Sequence, residues 1–423
     1  MAAPRKGSSD AEQLQEHLDE LARLVDTAGA QVVGRLTQQV TAPNPATLLG
    51  EGKVAELRDR VAGDGATLVV FDDQLSPVQG VNLERELGVR VMDRPEVILD
   101  IFSTRARTAE AKLQVELAQL EYLLPRLTRM WSHLSRIRGG IGLRGPGETQ
   151  LETDRRMIRR KIQHHRAKLR DVARHRATLR SRADRHHLLH AAIVGYTNAG
   201  KSSVLRALMA ASAGGDRGGD ILVEDRLFAT LDTLTREVDL GDGVRARATD
   251  TVGFIRKLPH HLVASFRATL EEAREADVLL HIIDASHPEW EAHVEVVDQV
   301  LAELDLADRP ELLVFNQMDR TPDVEAFQER VRKLHPDAVF TSAVQPRGVD
   351  ALRAALRSRE RSGRPTLQVT IPAADGARLA AVYRAGEVLH REETADEVRL
   401  TVRMEAWRAR QLSLPNGQPE NGA

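Results

Sequence analysis

Apolar positions change their spacing several times along the chain, and each change predicts a different element. Short apolar runs at Gln31–Val33, Thr67–Phe71 and Val89–Met92 predict buried strands, whereas Lys53–Val61 and Pro77–Leu87 carry apolar residues at helical spacing. This alternation predicts a small α/β domain over residues 1–107, with residues 1–10 polar and expected to be flexible. Within it, Gly50-Glu51-Gly52-Lys53 faintly resembles a phosphate loop, but its spacing and the lack of a leading strand make it a helix-start loop. From Thr108 to Ile137 the pattern becomes a stripe. Leu113, Leu117, Leu120, Leu124, Leu127, Trp131 and Leu134 recur at steps of four and three, the seam of a coiled-coil helix, with a local kink expected at Pro125.

Residues 138–147 hold five glycines and a proline in ten positions and cannot stay helical. Helix is expected to resume at Thr149, where Thr149-Gln150-Leu151-Glu152 has the form of a capping box. Leu151, Ile158, Ile162, Leu169, Val172 and Leu179 then make a second stripe, so residues 108–187 are expected to form an antiparallel helical hairpin with a glycine-rich tip at 138–147. Strand-sized runs at Ala191–Val194, Val278–Leu280 and Leu312–Phe315 predict a mostly parallel sheet with flanking helices over 188–362. Thr366–Pro372, Gly376–Ala385 and Val398–Met404 predict strand, helix and strand in a small C-terminal α/β domain over 363–411, followed by a flexible tail at 412–423. The fold class expected is an α/β multidomain protein.

The 423 residues, 29% charged and 42% apolar, have ordinary globular composition. With no cysteine, disulfides, thiolate metal sites and cysteine nucleophiles are excluded, and a cytoplasmic setting fits. The apolar runs are too short for a membrane span, and residues 1–10 carry no secretory signal pattern. The net charge of −2 hides a local asymmetry. From Leu151 to His186 there are thirteen Lys or Arg against four Asp or Glu. An imbalance sustained over about ten helical turns points to a polyanionic partner, nucleic acid first, contacted through phosphate and shape. His186, His187 and His190 lack further ligands at metal-binding spacing and read as part of a linker.

The strand at Ala191–Val194 runs into Gly195-Tyr196-Thr197-Asn198-Ala199-Gly200-Lys201-Ser202, a GxxxxGK[ST] phosphate loop, and Ser203 follows at the start of a helical run. Backbone N–H groups and the helix N-terminus there suit phosphate; Lys201 reaches the β- and γ-phosphates, and the Ser202 hydroxyl ligates Mg2+. Asp250-Thr251-Val252-Gly253 supplies a DxxG element, in which Asp250 holds the metal through water and the Gly253 N–H senses the γ-phosphate. Asn316-Gln317-Met318-Asp319 matches the guanine-reading NKxD pattern with glutamine in place of lysine, and Asp319 can accept from guanine N1 and N2. Ser342 and Ala343 match the loop that backs the base. Between these, Phe228-Ala229-Thr230-Leu231-Asp232 contains Thr230, the candidate residue that closes on the metal when the γ-phosphate is present. Lys201, Thr230 and Gly253 are the expected catalytic set. Phe254 stands where Ras-like proteins have a water-orienting glutamine, so slow intrinsic hydrolysis is expected, and Asn198 suggests K+ as a second cation beside the phosphates.

The chain resembles HflX-family GTPases over most of its length. The resemblance rests on Leu99–Phe102, Arg105–Thr108, Leu113–Leu120, Tyr122–Leu127, Trp131–Leu134, Arg144–Glu152, Leu227–Asp232 and Asp250–Ile255. It implies a monomeric cytoplasmic GTPase that binds GTP and GDP and docks on the large (50S) ribosomal subunit, reaching membranes only through ribosomes. It further implies that the tip approaches the peptidyl-transferase centre and that stalled or idle ribosomes are split. Arg138, Arg144, Arg155, Arg156, Arg159 and Arg160 are the expected rRNA contacts. Arg138, Leu143, Thr233-Leu234-Thr235 and Gln317 depart from the family pattern. An RNA-binding assembly factor with GTP-timed release, and a factor in a stress response or in resistance to antibiotics that bind the large subunit, remain as alternatives.

Overall fold

Leu18, Leu21, Leu24 and Val25 recur at helical spacing and are buried, which turns the segment Leu14–Thr27 into an amphipathic helix, α1. In the computed structural model the described residues are 1–7, 13–130, 146–183, 188–211, 227–228, 231, 233–257, 272–363, 366–404 and 412. After α1 come α2 (Glu51–Asp64), β1 (Leu68–Phe71), α3 (Pro77–Leu87), β2 (Arg90–Asp93) and α4 (Arg94–Arg105). Ser76 caps α3 through a reciprocal bond with Gln79, with Pro77 in the first turn, and Asp93 caps α4 by accepting from the Glu96 N–H. Gly50 is the residue before α2, so Gly50–Lys53 is a helix start.

Two expectations for this N-terminal unit are corrected. Gln31–Val33 is not a buried strand: it pairs with neither β1 nor β2, and Val32 and Val33 are 39% and 57% exposed. The first residues are not loose either. Met1, Ala2 and Ala3 are apolar and buried, Ala2 bridges Thr37, and the Met1 amine donates to Val70 O at 2.8 Å. Residues 8–12 lie outside the described residues.

The hairpin consists of α5 (Ala109–Met130), which runs through Pro125, and α6 (Pro146–Ala183), which packs against it. Glu121 receives Arg166 Nη2 at 2.8 Å across the pair, and His165 Nε2 stands 3.3 Å from Glu116. Residues 146–148 are already helical, so helix is present ahead of the expected start at Thr149. Of the expected tip, 138–147, residues 138–145 lie outside the described residues, and Pro146 and Gly147 belong to α6. At its base α5 is anchored to the N-terminal unit. Tyr122 Oη donates to Asp93 Oδ1 at 2.8 Å, and Arg126 donates to Asp93 Oδ2 at 2.9 Å while stacking 3.4 Å over the Tyr122 ring.

The third unit comprises β3 (Leu189–Gly195), α7 (Lys201–Ala210), β4 (Leu234–Gly241), β5 (Val244–Asp250), β6 (Val278–Asp284), α8 (Trp290–Glu303), β7 (Glu311–Asn316), α9 (Val324–Leu334), β8 (Val339–Phe340) and α10 (Asp350–Gly363). Its six strands lie in the order β4-β5-β3-β6-β7-β8, all parallel except β4. One face packs α7 and α10 over Ile193, Leu280 and Val314; the other shares a core with α1, α4 and α5, so the first and third units are joined by buried apolar contact. Last come β9 (Thr366–Pro372), α11 (Gly376–Ala385), β10 (Glu387–Glu393) and β11 (Glu397–Arg403), an antiparallel sheet of order β10-β11-β9. The strand β10 was not foreseen, because an exposed edge rich in charge leaves no apolar alternation to read. Among the described residues no helix is long and apolar enough to cross a membrane.

Candidate functional site

Parallel strands aligned in register deliver their C-terminal ends to one edge of the sheet, where ligands of α/β proteins bind. Here Ile193 pairs with Asp250, Gly195 with Ile282, and Asp284 with Asn316. The phosphate loop, the DxxG element and the guanine-reading element, which are far apart in sequence, are thereby brought together. Gly195–Gly200 leaves β3 and turns into α7, so the backbone N–H groups at the α7 N-terminus face this edge. Gly200 has φ 91°, and a Cβ there would stand 2.3 Å from Asn316 Nδ2, so the turn requires glycine.

Lys201 is 6% exposed, and its ammonium donates to Tyr196 O at 2.7 Å and Gly195 O at 3.2 Å. Burial pushes its pKa down to about 8, against the opposing pull of Asp250. Ser202 Oγ donates to Asp250 Oδ2 at 2.6 Å. A hydroxyl and a carboxylate in contact at the mouth of a phosphate loop form an all-oxygen donor pair of the kind that suits Mg2+. Ser203 follows in the first turn of α7.

The DxxG segment is zipped onto the phosphate loop. Thr197 N donates to Phe254 O at 2.7 Å, Phe254 N donates to Gly195 O at 3.1 Å, and Thr251 Oγ1 donates to Ile193 O at 2.7 Å. A Cβ on Gly253 would stand 2.8 Å from Lys201 Nζ and 2.9 Å from Thr197 Cα. Val252 and Phe254 are buried.

On the base side, Asn316 is buried. Its Nδ2 donates to Ala199 O at 3.0 Å, and its Oδ1 accepts from Thr341 Oγ1 at 3.2 Å and Ala343 N at 3.3 Å. Ser342 Oγ donates to Asp319 Oδ1 at 2.6 Å, and Met318 is buried beneath. Gln317 Nε2 reaches Asp284 Oδ2 at 2.9 Å and Asn198 O at 3.3 Å, so it ties this loop to the phosphate loop as the usual lysine would.

Not every expected residue gathers here. The Phe228 and Leu231 side chains lie in the core shared with α4, Phe228 edge-on to Phe102 at 4.7 Å, so they act in packing. Ala229, Thr230 and Asp232 lie outside the described residues, as do Arg138, Arg144, His186 and His187. His190 is not in a linker. It is buried on β3 with Nε2 2.9 Å from Thr249 Oγ1. Arg156, Arg159 and Arg160 are exposed on α6, and Arg155 is half-buried.

Sequence reasoning missed an ionic junction between the first and third units. Tyr196 Oη donates to a Glu20 carboxylate oxygen and accepts from the Arg256 N–H at 3.1 Å. Arg256 Nη2 pairs with Glu16 at 3.1 Å, Lys257 Nζ with Asp72 at 2.8 Å, and buried Arg94 bridges Glu20 and Asp72. The helical spacing of α1 was available as a signal; the pairing of its acidic face with Arg256 was not.

Comparisons with known proteins place the chain among GTPases. A profile of the GTP-binding GTPase N-terminal region matches residues 15–103, one of the GTPase middle region matches 105–183, and one described as 50S ribosome-binding GTPase matches 190–317. The chain is similar to the GTPase HflX of Lacrimispora saccharolytica, 44% identical over 391 residues that span 92% of this chain and 90% of that protein. It is also similar to the GTPase HflX of Escherichia coli, 42% identical over 391 residues, again 92% of this chain and 90% of that protein. A solved structure of a GTP-binding protein from the archaeon Sulfolobus solfataricus in complex with GDP is 22% identical, with a TM-score of 0.44, covering 84% of this chain and 96% of that one.

Proposed function

The chain belongs to the HflX family of GTPases, and from that premise we propose that it binds the large ribosomal subunit in its GTP state and couples hydrolysis to dissociation of stalled or idle ribosomes. The observation that carries this reading is the charge of α6: twelve Lys or Arg against four Asp or Glu from Pro146 to Ala183, on a hairpin whose base is packed onto the unit that contacts the DxxG segment. The description of the profile matched by residues 190–317 supports the same partner.

GTP hydrolysis is in-line attack of water on the γ-phosphate, which releases GDP and phosphate. In the proposed site Lys201 and the backbone N–H groups of Asn198–Ser203 hold the phosphates, and Lys201 offsets charge that develops on the leaving oxygens. Ser202 and, through water, Asp250 would hold Mg2+, which supplies neutralisation of the phosphate oxygens when bound. Asp319 reads the guanine edge, with Ser342 and Ala343 behind it. Gly253 reports the γ-phosphate, and Thr230 is assigned the closing role on the metal. The Lys201 ammonium sits between Gly253 and the loop carbonyls, and in this reading a γ-phosphate that draws it outward also shifts the Phe254 pairing and the Arg256 and Lys257 contacts behind it. That gives a route from nucleotide to hairpin.

Incubating intact ribosomes with excess protein and GTP, then resolving them by sedimentation, tests the activity. Conversion of full ribosomes to subunits is expected; full ribosomes that persist at every protein concentration contradict it and favour an assembly factor.

A further inference from the structure

Gln317 stands where a lysine completes the guanine-reading element, and an uncharged amide at that position carries two problems that lysine does not. Its carbonyl and amino ends are nearly isosteric, so a flipped side chain would turn Oε1 rather than Nε2 toward Asp284 Oδ2 and Asn198 O, two acceptors that would repel it. It also supplies no positive charge beside Asp284. The structure shows how both are met. Arg320 Nη1 donates to Gln317 Oε1 at 2.8 Å, so a group that has only donors occupies the carbonyl end and directs Nε2 at its two acceptors, 2.9 and 3.3 Å away.

The local backbone sets this up. Gln317 has φ 63°, in the left-handed region, and Arg320 N and Thr321 Oγ1 both donate to Gln317 O, at 2.9 and 3.1 Å. The turn therefore places position 320 back over position 317, on the rim of the base pocket formed by Asn316, Asp319 and Ser342. The Asp284 carboxylate is fixed from its other side, where Oδ1 accepts Ser286 N at 2.9 Å and Ser286 Oγ at 2.6 Å. A chain of donors thus runs from Arg320 through Gln317 to Asp284 and the phosphate loop.

We infer that Arg320 is a positioning residue of the guanine-nucleotide pocket, which holds the Gln317 amide in its bracing orientation and returns to this rim the positive charge that the missing lysine would carry. The inference rests on the nucleotide pocket described above and goes beyond it, since nothing in the motif assigns a role to the residue after Asp319.

The test is a double-mutant cycle on the full chain, with GDP and Mg2+ titrated calorimetrically into wild type, Arg320→Ala, Gln317→Lys and the double variant. Arg320→Ala is expected to weaken GDP roughly three- to tenfold, the range of one hydrogen bond, and to raise KM for GTP while kcat at saturation stays near wild type. In the Gln317→Lys background the same removal is expected to change GDP affinity less than about twofold, because an ammonium has no carbonyl end to orient. Melting without nucleotide should be alike in wild type and Arg320→Ala, since the guanidinium is exposed. GDP bound equally by wild type and Arg320→Ala overturns the inference, and so does an equal penalty in both backgrounds. Wild type that fails to bind GDP at all overturns the pocket assignment instead.

Discussion

Lys257, four positions beyond Gly253, closes a 2.8 Å ion pair with Asp72 at the end of β1, and the other oxygen of that carboxylate receives Arg94 at 2.7 Å. The segment proposed to report the γ-phosphate is thereby held by the N-terminal unit. Burial alone would work against the Asp72 charge, but Arg94 and Lys257 together hold its carboxyl below the ordinary value of 3.8. Because the folded value lies below the unfolded one, the stabilisation is present above about pH 4 and is lost as pH falls further. Asp72→Asn is expected to cost about 3 kcal/mol at neutral pH, since it leaves two cations facing a neutral amide. Denaturant unfolding at pH 7 and pH 3 checks both statements: the gap between wild type and variant should shrink at the lower pH. A gap that grows would contradict the pairing.

The phosphate loop gives the sharpest expectation for catalysis. Lys201→Ala should abolish nucleotide binding and turnover, and Gly253→Ala should reduce turnover at least tenfold, because its methyl group would meet Lys201 Nζ and Thr197 Cα. Phosphate release assayed under saturating GTP measures both. Either variant at wild-type rate refutes the role assigned to its position.

Asn198 has φ 64°, and its carbonyl is engaged by Gln317 at the edge of the phosphate loop. With Phe254 buried where a water-orienting side chain could have stood, a monovalent cation beside Asn198 is expected to assist hydrolysis by offsetting charge that develops on the phosphate oxygens. Hydrolysis should run several-fold faster in potassium than in sodium buffer. Equal rates remove this expectation and leave the rest intact.

Replacing Arg155, Arg156, Arg159 and Arg160 together with alanine should weaken large-subunit binding and flatten its dependence on salt, because fewer counterions would be released from rRNA. GTP turnover without ribosomes should not change. Affinity that matches wild type at every salt concentration would make α6 a solvated surface.

The parts of this protein that were legible in the sequence are those where local spacing and chemistry coincide. The strand before Gly195, the helix after Lys201 and the seam from Leu113 need nothing beyond their own neighbours to be recognised. What could not be read depends on distant partners. Gln31–Val33 has strand-like composition but no neighbouring strand to pair with, and β10 has a neighbour but no apolar face. Met1–Ala3 is ordered by Val70, Leu36 and Asp73, more than thirty positions away. Phe228 sits in a motif that suggests nucleotide contact, yet its ring is claimed by Phe102. Glu20 and Arg256 are ordinary surface types in sequence and become buried only because α1 docks beside Tyr196.

In the proposed mechanism a γ-phosphate at Gly195–Ser202 decides whether the basic hairpin engages the ribosome. Cosedimentation of the full chain with isolated large subunits, in parallel without nucleotide, with GDP and with a non-hydrolysable GTP analogue, tests it most directly. Strong association is expected with the analogue and at least tenfold weaker association in the other two conditions, a difference of about 1.4 kcal/mol or more. Equal association in all three would contradict it.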